Sequence, residues 1–474
     1  MNKIKIYLLV LSVMLLAGCN SFLDVAPDER LTINTLEKIE ATVVGSYQNS
    51  RSFRFTHFSS DDVTLAQNIY DSDAIVEDLY SWSRNFRNQT HQDSPSEYWV
   101  QNYHSISQIN HALEAFENTE IDDEDKEKAD VVKGEALVMR SYCHFMLVNL
   151  FAKHYDQETA KDDLGVPYVF VPEKQLIANY KRESVETVYQ LAEQDLQEGL
   201  KLMESGKKHV NNNKYRFTLQ TAYNYASRFY IFRNKDAEDV KKAIKYGKKS
   251  IEAYGGTQQM RPWKDYMSDY NGPVDVSQAE VGFVQMSRTW TIFGFIYQAT
   301  NDIRDEVLEK NPFGLVDNRL QIWYKRGGDV FVPAFFFVGE SETSAVDLFP
   351  LAEAILNVAE GYIRQGNYSK AKEMLDVIAS NVYNGYSSTY LTSSNLRTFY
   401  DTSNDKTAWI KYLLFERRNH FFLKGMRWFD LKRYNLNVKH VLKDGKVLWL
   451  TQVAPNKDYQ IPSFAIDTGL EPNK

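Results

Sequence analysis

The sequence predicts an all-α protein, a scaffold of helix–turn–helix pairs with long irregular loops and minor β segments. Three observations lead there. Apolar residues recur at helical spacing over most of the long segments. Two pairs of such segments, Thr221–Phe232 with Asp239–Tyr254 and Asp347–Arg364 with Ser369–Val382, are joined by short turns. Strand-like runs are few and short. At 474 residues the chain can bury a large core without disulfides, and only two cysteines are present.

Residues 1–18 read as an export leader. Lys3 and Lys5 give a positive start, and the apolar run Ile6–Leu16 falls short of the ~20 residues that span a bilayer. The run ends in Leu16-Ala17-Gly18-Cys19, which resembles a bacterial lipobox. Cleavage before Cys19 would leave its sulfur carrying a diacylglycerol, and several acyl chains make a durable anchor. Residues 19–35, with Pro27, lack periodicity and read as a tether. Cys143 then stands alone in an apolar helical run, a small buried hydrophobe and not a nucleophile.

Residues 36–255 form an N-terminal helical part. Its first helix is Leu36–Gln48, with Val43, Val44 and Tyr47 inward. From Arg51 to Ser96 the periodicity fades, and Asp61-Asp62, Tyr80, Trp82, Asn85 and Asn88 suggest functional loops, with Asp61-Asp62 in a solvated acidic loop. Glu97–Asn118 is amphipathic through Trp99, Tyr103, Ile106 and Ile109. The acidic turn Asp122–Asp125 should cap the next helix, Lys126–Phe151, and Ser184 the one after it.

Residues 256–474 form a C-terminal part, one folded body with the first. Its least periodic stretch, Gly256–Thr343, holds Trp263, Trp290, Tyr297 and Asn301, and Val330–Val332 and Phe335–Val338 suggest a small sheet. Small residues at Ala352, Ala354, Ala359 and Ala371 let the second helix pair approach closely. The first half of Thr407–Tyr434 reads as a helix capped at its C-terminus by Lys424-Gly425, and Arg427–Tyr434 as a second, short amphipathic segment. Glu416, Arg417, Arg427, Asp430 and Arg433 lie there among large aromatics. A lone charge in such surroundings is costly, so ion pairs pinning the two helices together are expected. Trp99, Trp409 and Trp428 belong to the core, and Trp449 to a closing segment at Val447–Leu450.

Glu416-Arg417-Arg418 followed by Gly425-x-Arg427-Trp428-Phe429-Asp430-Leu431-x-Arg433 resembles the C-terminal signature of the SusD/RagB family, surface glycan-binding lipoproteins of Bacteroidetes. Ser21-Phe22-Leu23-Asp24, Gly45-x-Tyr47, Glu135, Arg140, Leu164–Tyr168 and Ile461-Pro462 match further landmarks. His420 and Lys424 depart from it, since the family usually has acids there, and Pro350 stands where it often has an arginine. The resemblance implies a SusD-like fold on a tetratricopeptide-like scaffold, and an outer-membrane, surface-exposed location. It also implies capture of oligo- or polysaccharide without chemistry, and delivery to a SusC-like TonB-dependent transporter.

The residues themselves exclude several alternatives. No phosphate-cradling glycine loop, dinucleotide fingerprint, H-E-x-x-H or C-x-x-C occurs, so no cofactor is expected. His104 and His111 share a helix face without a third ligand, so no metal is expected. The formal charge of −8 argues against nucleic acid. What remains is a surface able to hold sugar, whose C–H faces pack on aromatic rings while amides and carboxylates meet the hydroxyls. Tyr80, Trp82, Trp263, Trp290 and Tyr297 are the expected platforms, and Asp62, Asn85 and Asn301 the polar partners. A surface glycosidase, a peptide-binding member of the same import machinery and a protein-interaction scaffold are the rival readings.

Overall fold

The computed structural model describes residues 32–49, 53–65, 74–173, 180–263, 279–287, 297–298, 310–319, 324–327, 330–333, 344–422, 424–451 and 457–474. Among them thirteen α-helices carry the architecture. They are α1 (Leu36–Asn49), α2 (Ala74–Tyr80), α3 (Pro95–Asn118), α4 (Lys126–Phe151), α5 (Val185–Ser205), α6 (Leu219–Arg233) and α7 (Ala237–Ala253). After these come α8 (Leu351–Arg364), α9 (Tyr368–Val382), α10 (Ser393–Phe399), α11 (Asp405–His420), α12 (Met426–Arg433) and α13 (Ser463–Asp467).

Consecutive helices pack on one another from α3 through α9, and α8 is also covered by α11. Both expected helix–turn–helix pairs are present, as α6–α7 and α8–α9. The second begins later than expected, because Asp347 belongs to a strand and Pro350 sits at the N-cap of α8. Polar caps start many of these helices: the hydroxyl of Ser94 accepts from the Glu97 amide, that of Ser184 from Thr187, and the Asp236 carboxylate from two amides. The acidic turn before α4 does not act this way, since Asp125 makes no side-chain cap.

Gly134 on α4 and Gly199 on α5 meet face to face. A Cβ on either would lie 2.7 Å from the other's carbonyl oxygen, so only glycine admits this approach. Gly247 on α7 and Gly361 on α8 do the same, against Val358 and Ile244.

Among the described residues strands are confined to two-stranded antiparallel pairs: β1 (Thr64–Leu65) with β3 (Tyr297–Gln298), β2 (Val284–Ser287) with β6 (Ser344–Asp347), β4 (Tyr324–Gly327) with β5 (Val330–Pro333), and β7 (Val438–Val441) with β8 (Val447–Leu450). The β4–β5 pair includes the strand expected at Val330–Val332, while Phe335–Val338 lies outside the described residues.

The stretch 51–96 departs from expectation. It contains a 3-10 turn, Arg54–Ser59, and α2, and buries Phe53, Phe55, Phe58, Ile75, Val76 and Leu79. Gly425 also differs. α11 ends at His420 in an ordinary turn, and Gly425, at φ +80°, precedes α12 as its N-cap. A Cβ there would meet Thr56 and the Phe53 carbonyl at under 3 Å, so this glycine serves a close crossing as well as a turn.

Glu416, Arg417, Arg427, Asp430 and Arg433 are all paired, and several of their partners lie beyond the two helices. Arg417 holds Asp430 at 2.9 Å, and Arg433 bridges Asp430 and Glu360 of α8 at 2.7 and 2.8 Å. Glu416 pairs with Arg319 at 2.9 Å. Burial alone would raise Glu360, but Arg433 and Arg364 overcome it and hold its carboxyl far below the usual range. Chain-distant contacts join the two parts: the Thr56 hydroxyl donates to the Gly425 carbonyl, the Tyr459 amide to that of Leu150, and the Lys432 ammonium to Asn149 and Ala152 at the end of α4.

Candidate functional site

Asp61 and Asp62 follow the 3-10 turn and are locked, not solvated. Arg427 grips Asp61 through two hydrogen bonds of 2.8 Å, and Arg418 donates to Asp62 at 2.6 Å. Asp62 is 1% exposed. Burial would raise Asp61, yet Arg418 and Arg427 depress it strongly, whereas for Asp62 burial prevails and its pKa is raised. Buried beneath an arginine, Asp62 is no open partner for a sugar hydroxyl, which corrects the sequence expectation.

Tyr80 and Trp82 clasp a histidine. The His440 ring from β7 lies 4.0 Å from Tyr80 and 4.3 Å from Trp82, nearly parallel to both. Its two nitrogens face the carbonyls of Tyr80 and Ser60 at 2.7 and 2.8 Å. Burial lowers its pKa, while the two carbonyls, both acceptors, oppose that shift. Tyr80 is 1% exposed, so it packs and cannot serve as an open platform. Trp82 is half-buried, sits at φ +53°, and donates its indole N–H to the Ser59 carbonyl at 2.9 Å. With Arg84, Phe86, Trp428 and Asp458 it lines a cleft of only about 10 Å³. Asn85 beside it is exposed.

Trp263 is also buried, at 4%, and stands edge-on to His420 at 5.2 Å, so it too is withdrawn from solvent as a platform. It lines a cavity of about 30 Å³ with Glu280, Asp347, His420 and Lys424. Here the departures from the family's acids find their setting, because Lys424 feels the carboxylates of Asp347, Glu353 and Glu280. Burial raises Glu280 to about 7 and Asp347 to about 6.

Tyr297 lies in β3 opposite Leu65, so the backbone does bring the 61–65 segment beside it. Cys19, Trp290 and Asn301 fall outside the described residues.

Two surfaces escaped the sequence reading. The larger is a groove of about 190 Å³ between α3, the 167–173 segment and α13, lined by Trp99, Tyr103, Val169, Tyr180, Phe464 and Leu470 among others. The second is the outer face of β7–β8, where Trp449 of the expected closing segment is 58% exposed. Asp444-Gly445 between two alternating runs was the available hairpin signal. Among the described residues no cluster of three metal-ligating side chains occurs, and no helix is long and apolar enough to cross a membrane.

A family model described as "Starch-binding associating with outer membrane" matches residues 21–231, and a second, "SusD family", matches 338–461. Among solved structures, one from Bacteroides vulgatus is similar at TM-score 0.74 and 21% identity, covering 93% of this chain and 98% of that one. A SusD superfamily protein from Bacteroides thetaiotaomicron is similar at TM-score 0.73 and 18% identity, covering 93% and 100%. A SusD-like carbohydrate binding protein from Bacteroides vulgatus is similar at TM-score 0.70 and 14% identity, covering 92% and 96%. At these identities the likeness is one of fold. No curated protein matches the sequence significantly.

Proposed function

Because the chain belongs to the SusD family, we propose that it is a cell-surface lipoprotein that binds oligo- or polysaccharide and delivers it intact to a SusC-like TonB-dependent transporter. The observation that carries this reading is the match of a starch-binding, outer-membrane-associated family across residues 21–231. Cys19 supplies the lipid anchor, and the helical body holds aromatic-bearing surfaces outside the membrane. The locked state of Asp61 and Asp62 supports binding without cleavage. A glycosidase needs two carboxyls free to face the scissile bond, ~5–9.5 Å apart, and these two are held by guanidinium groups.

The test is retardation of the chain lacking residues 1–19 in gels of amylopectin, xylan, mannan and polygalacturonate. Retardation by at least one, with no shortening of the glycan on incubation, is the expected result. Shorter products would replace this reading with a hydrolase. Co-purification of a TonB-dependent porin with the lipidated chain would support the delivery step.

One observation favours a peptide-binding variant. The groove along Trp99 and Phe464 is mainly apolar, which suits hydrophobic side chains better than hydroxyls that would stay unpaired there. Binding of a mixed peptide pool, with no glycan retained, would move the reading to that variant.

A further inference from the structure

The β7–β8 hairpin has two unlike faces. Val438, His440 and Leu450 are buried beneath it, while Val441, Val447 and Trp449 are 41%, 44% and 58% exposed. The register sets Lys439 opposite Trp449 and Val441 opposite Val447, so these four share the outer face. No other described tryptophan is comparably open: Trp99, Trp263, Trp409 and Trp428 are buried and Trp82 is half-buried.

The face is also rigid. His440, held between two rings and two carbonyls, fixes its underside, and the Tyr80 hydroxyl donates to the Val441 carbonyl at 3.2 Å. A ligand binding here has little of the protein to order. Beside the indole stands a cation. The Lys439 ammonium lies 5.8 Å from the Trp449 ring centre and has no carboxylate within ion-pair distance among the described residues. An ammonium with no carboxylate partner among the described residues, at an exposed indole on a chain of formal charge −8, marks a local departure from the prevailing acidity.

Resting on the glycan-binding reading, we propose that this face is a subsite for an acidic glycan: a uronate ring stacks its C–H face on Trp449 and its carboxylate meets Lys439. Indole supplies the flat apolar contact that a pyranose face requires. The ammonium supplies the charge-assisted hydrogen bond that separates a uronate from a neutral hexose. The exposed aliphatic pair Val441 and Val447 extends the apolar floor for a neighbouring ring of the same polymer. Since the ion pair is exposed, its share should weaken with salt while the stacking share persists.

The chain lacking residues 1–19 is tested by affinity electrophoresis in gels of polygalacturonate, alginate and neutral amylopectin, and by sedimentation with phosphatidylglycerol vesicles. The acidic gels should retard the wild type more than amylopectin does. Trp449→Ala should weaken that binding about tenfold, equivalent to about 1.4 kcal/mol, and Trp449→Phe should retain most of it. Lys439→Ala should remove the preference for the acidic gels. Circular dichroism and the melting temperature should be unchanged in all three variants, because both side chains are at the surface. Retention by acidic glycan that Trp449→Ala leaves intact, or retention by amylopectin alone, overturns the subsite while glycan binding stands. Retention by no gel overturns both. Vesicle binding lost in Trp449→Ala, without glycan retention, identifies the face as a membrane contact and also overturns the subsite.

Discussion

Glu280 shows how far burial alone can move a side chain in this protein. Desolvation raises its carboxyl to about 7, well above the value of a free glutamate. A raised folded-state pKa means that the folded chain keeps a proton the unfolded chain has already lost. Stability from this group is therefore intact below about pH 4.5 and declines as pH rises toward 7. Glu280→Gln removes the titration and keeps an acceptor for the Arg261 amide, which Glu280 now binds at 2.6 Å. The variant should be more stable than wild type by roughly 1–3 kcal/mol above pH 7.5, with the advantage gone at pH 4.5; urea melts at both pH values measure it. At this scale the sequence was only partly legible. Periodicity correctly assigned Trp409 and Trp428 to the core, at 2% and 1% exposure. It could not tell that Tyr80 and Trp263 turn inward while Trp449 turns out, because facing depends on partners such as His440 and His420 that lie far along the chain.

Helices were legible because their apolar spacing is local. α1, α3, α4 and both helix–turn–helix pairs appear within a few residues of where periodicity places them. α2 was missed because it is short and because its setting depends on packing against the Arg54–Ser59 turn. Gly425 was placed at the wrong helix end because a left-handed glycine serves either terminus, and the crossing of Phe53 and Thr56 decides which. The glycines also divide into two kinds. Gly199→Ala drives a Cβ to 2.7 Å from the Gly134 carbonyl and should cost about 1–3 kcal/mol through forced separation of α4 and α5. Gly45→Ala on α1 meets nothing nearer than the Gln108 amide oxygen at 3.8 Å and should stabilise by about 0.5–1 kcal/mol through helix propensity. Denaturant midpoints of the two variants should therefore move in opposite directions.

The whole molecule is tied together by guanidinium pairs between distant stretches: Arg418 and Arg427 reach back to Asp62 and Asp61, and Arg433 to Glu360. Sequence reading foresaw that Glu416, Arg417, Arg427, Asp430 and Arg433 would be paired, and Arg417–Asp430 does join the two helices, but not that Arg427 and Arg433 would reach as far back as Asp61 and Glu360, since nothing local encodes a long-range ion pair. Arg418→Met leaves Asp62 buried without its cation and should cost about 3–5 kcal/mol. Calorimetry should show the main unfolding transition moved down in temperature, with residues on both sides of the chain affected together; an unchanged transition would mean that the clamp contributes nothing. Such internal wiring has a practical consequence for protein engineering. The underside of β7–β8 is pinned by His440 and Leu450, while Lys439, Val441, Val447 and Trp449 bear no such duty. A combinatorial library varied at those four positions should yield folded, displayable clones at high frequency, and the hairpin becomes a ready graft point for new recognition.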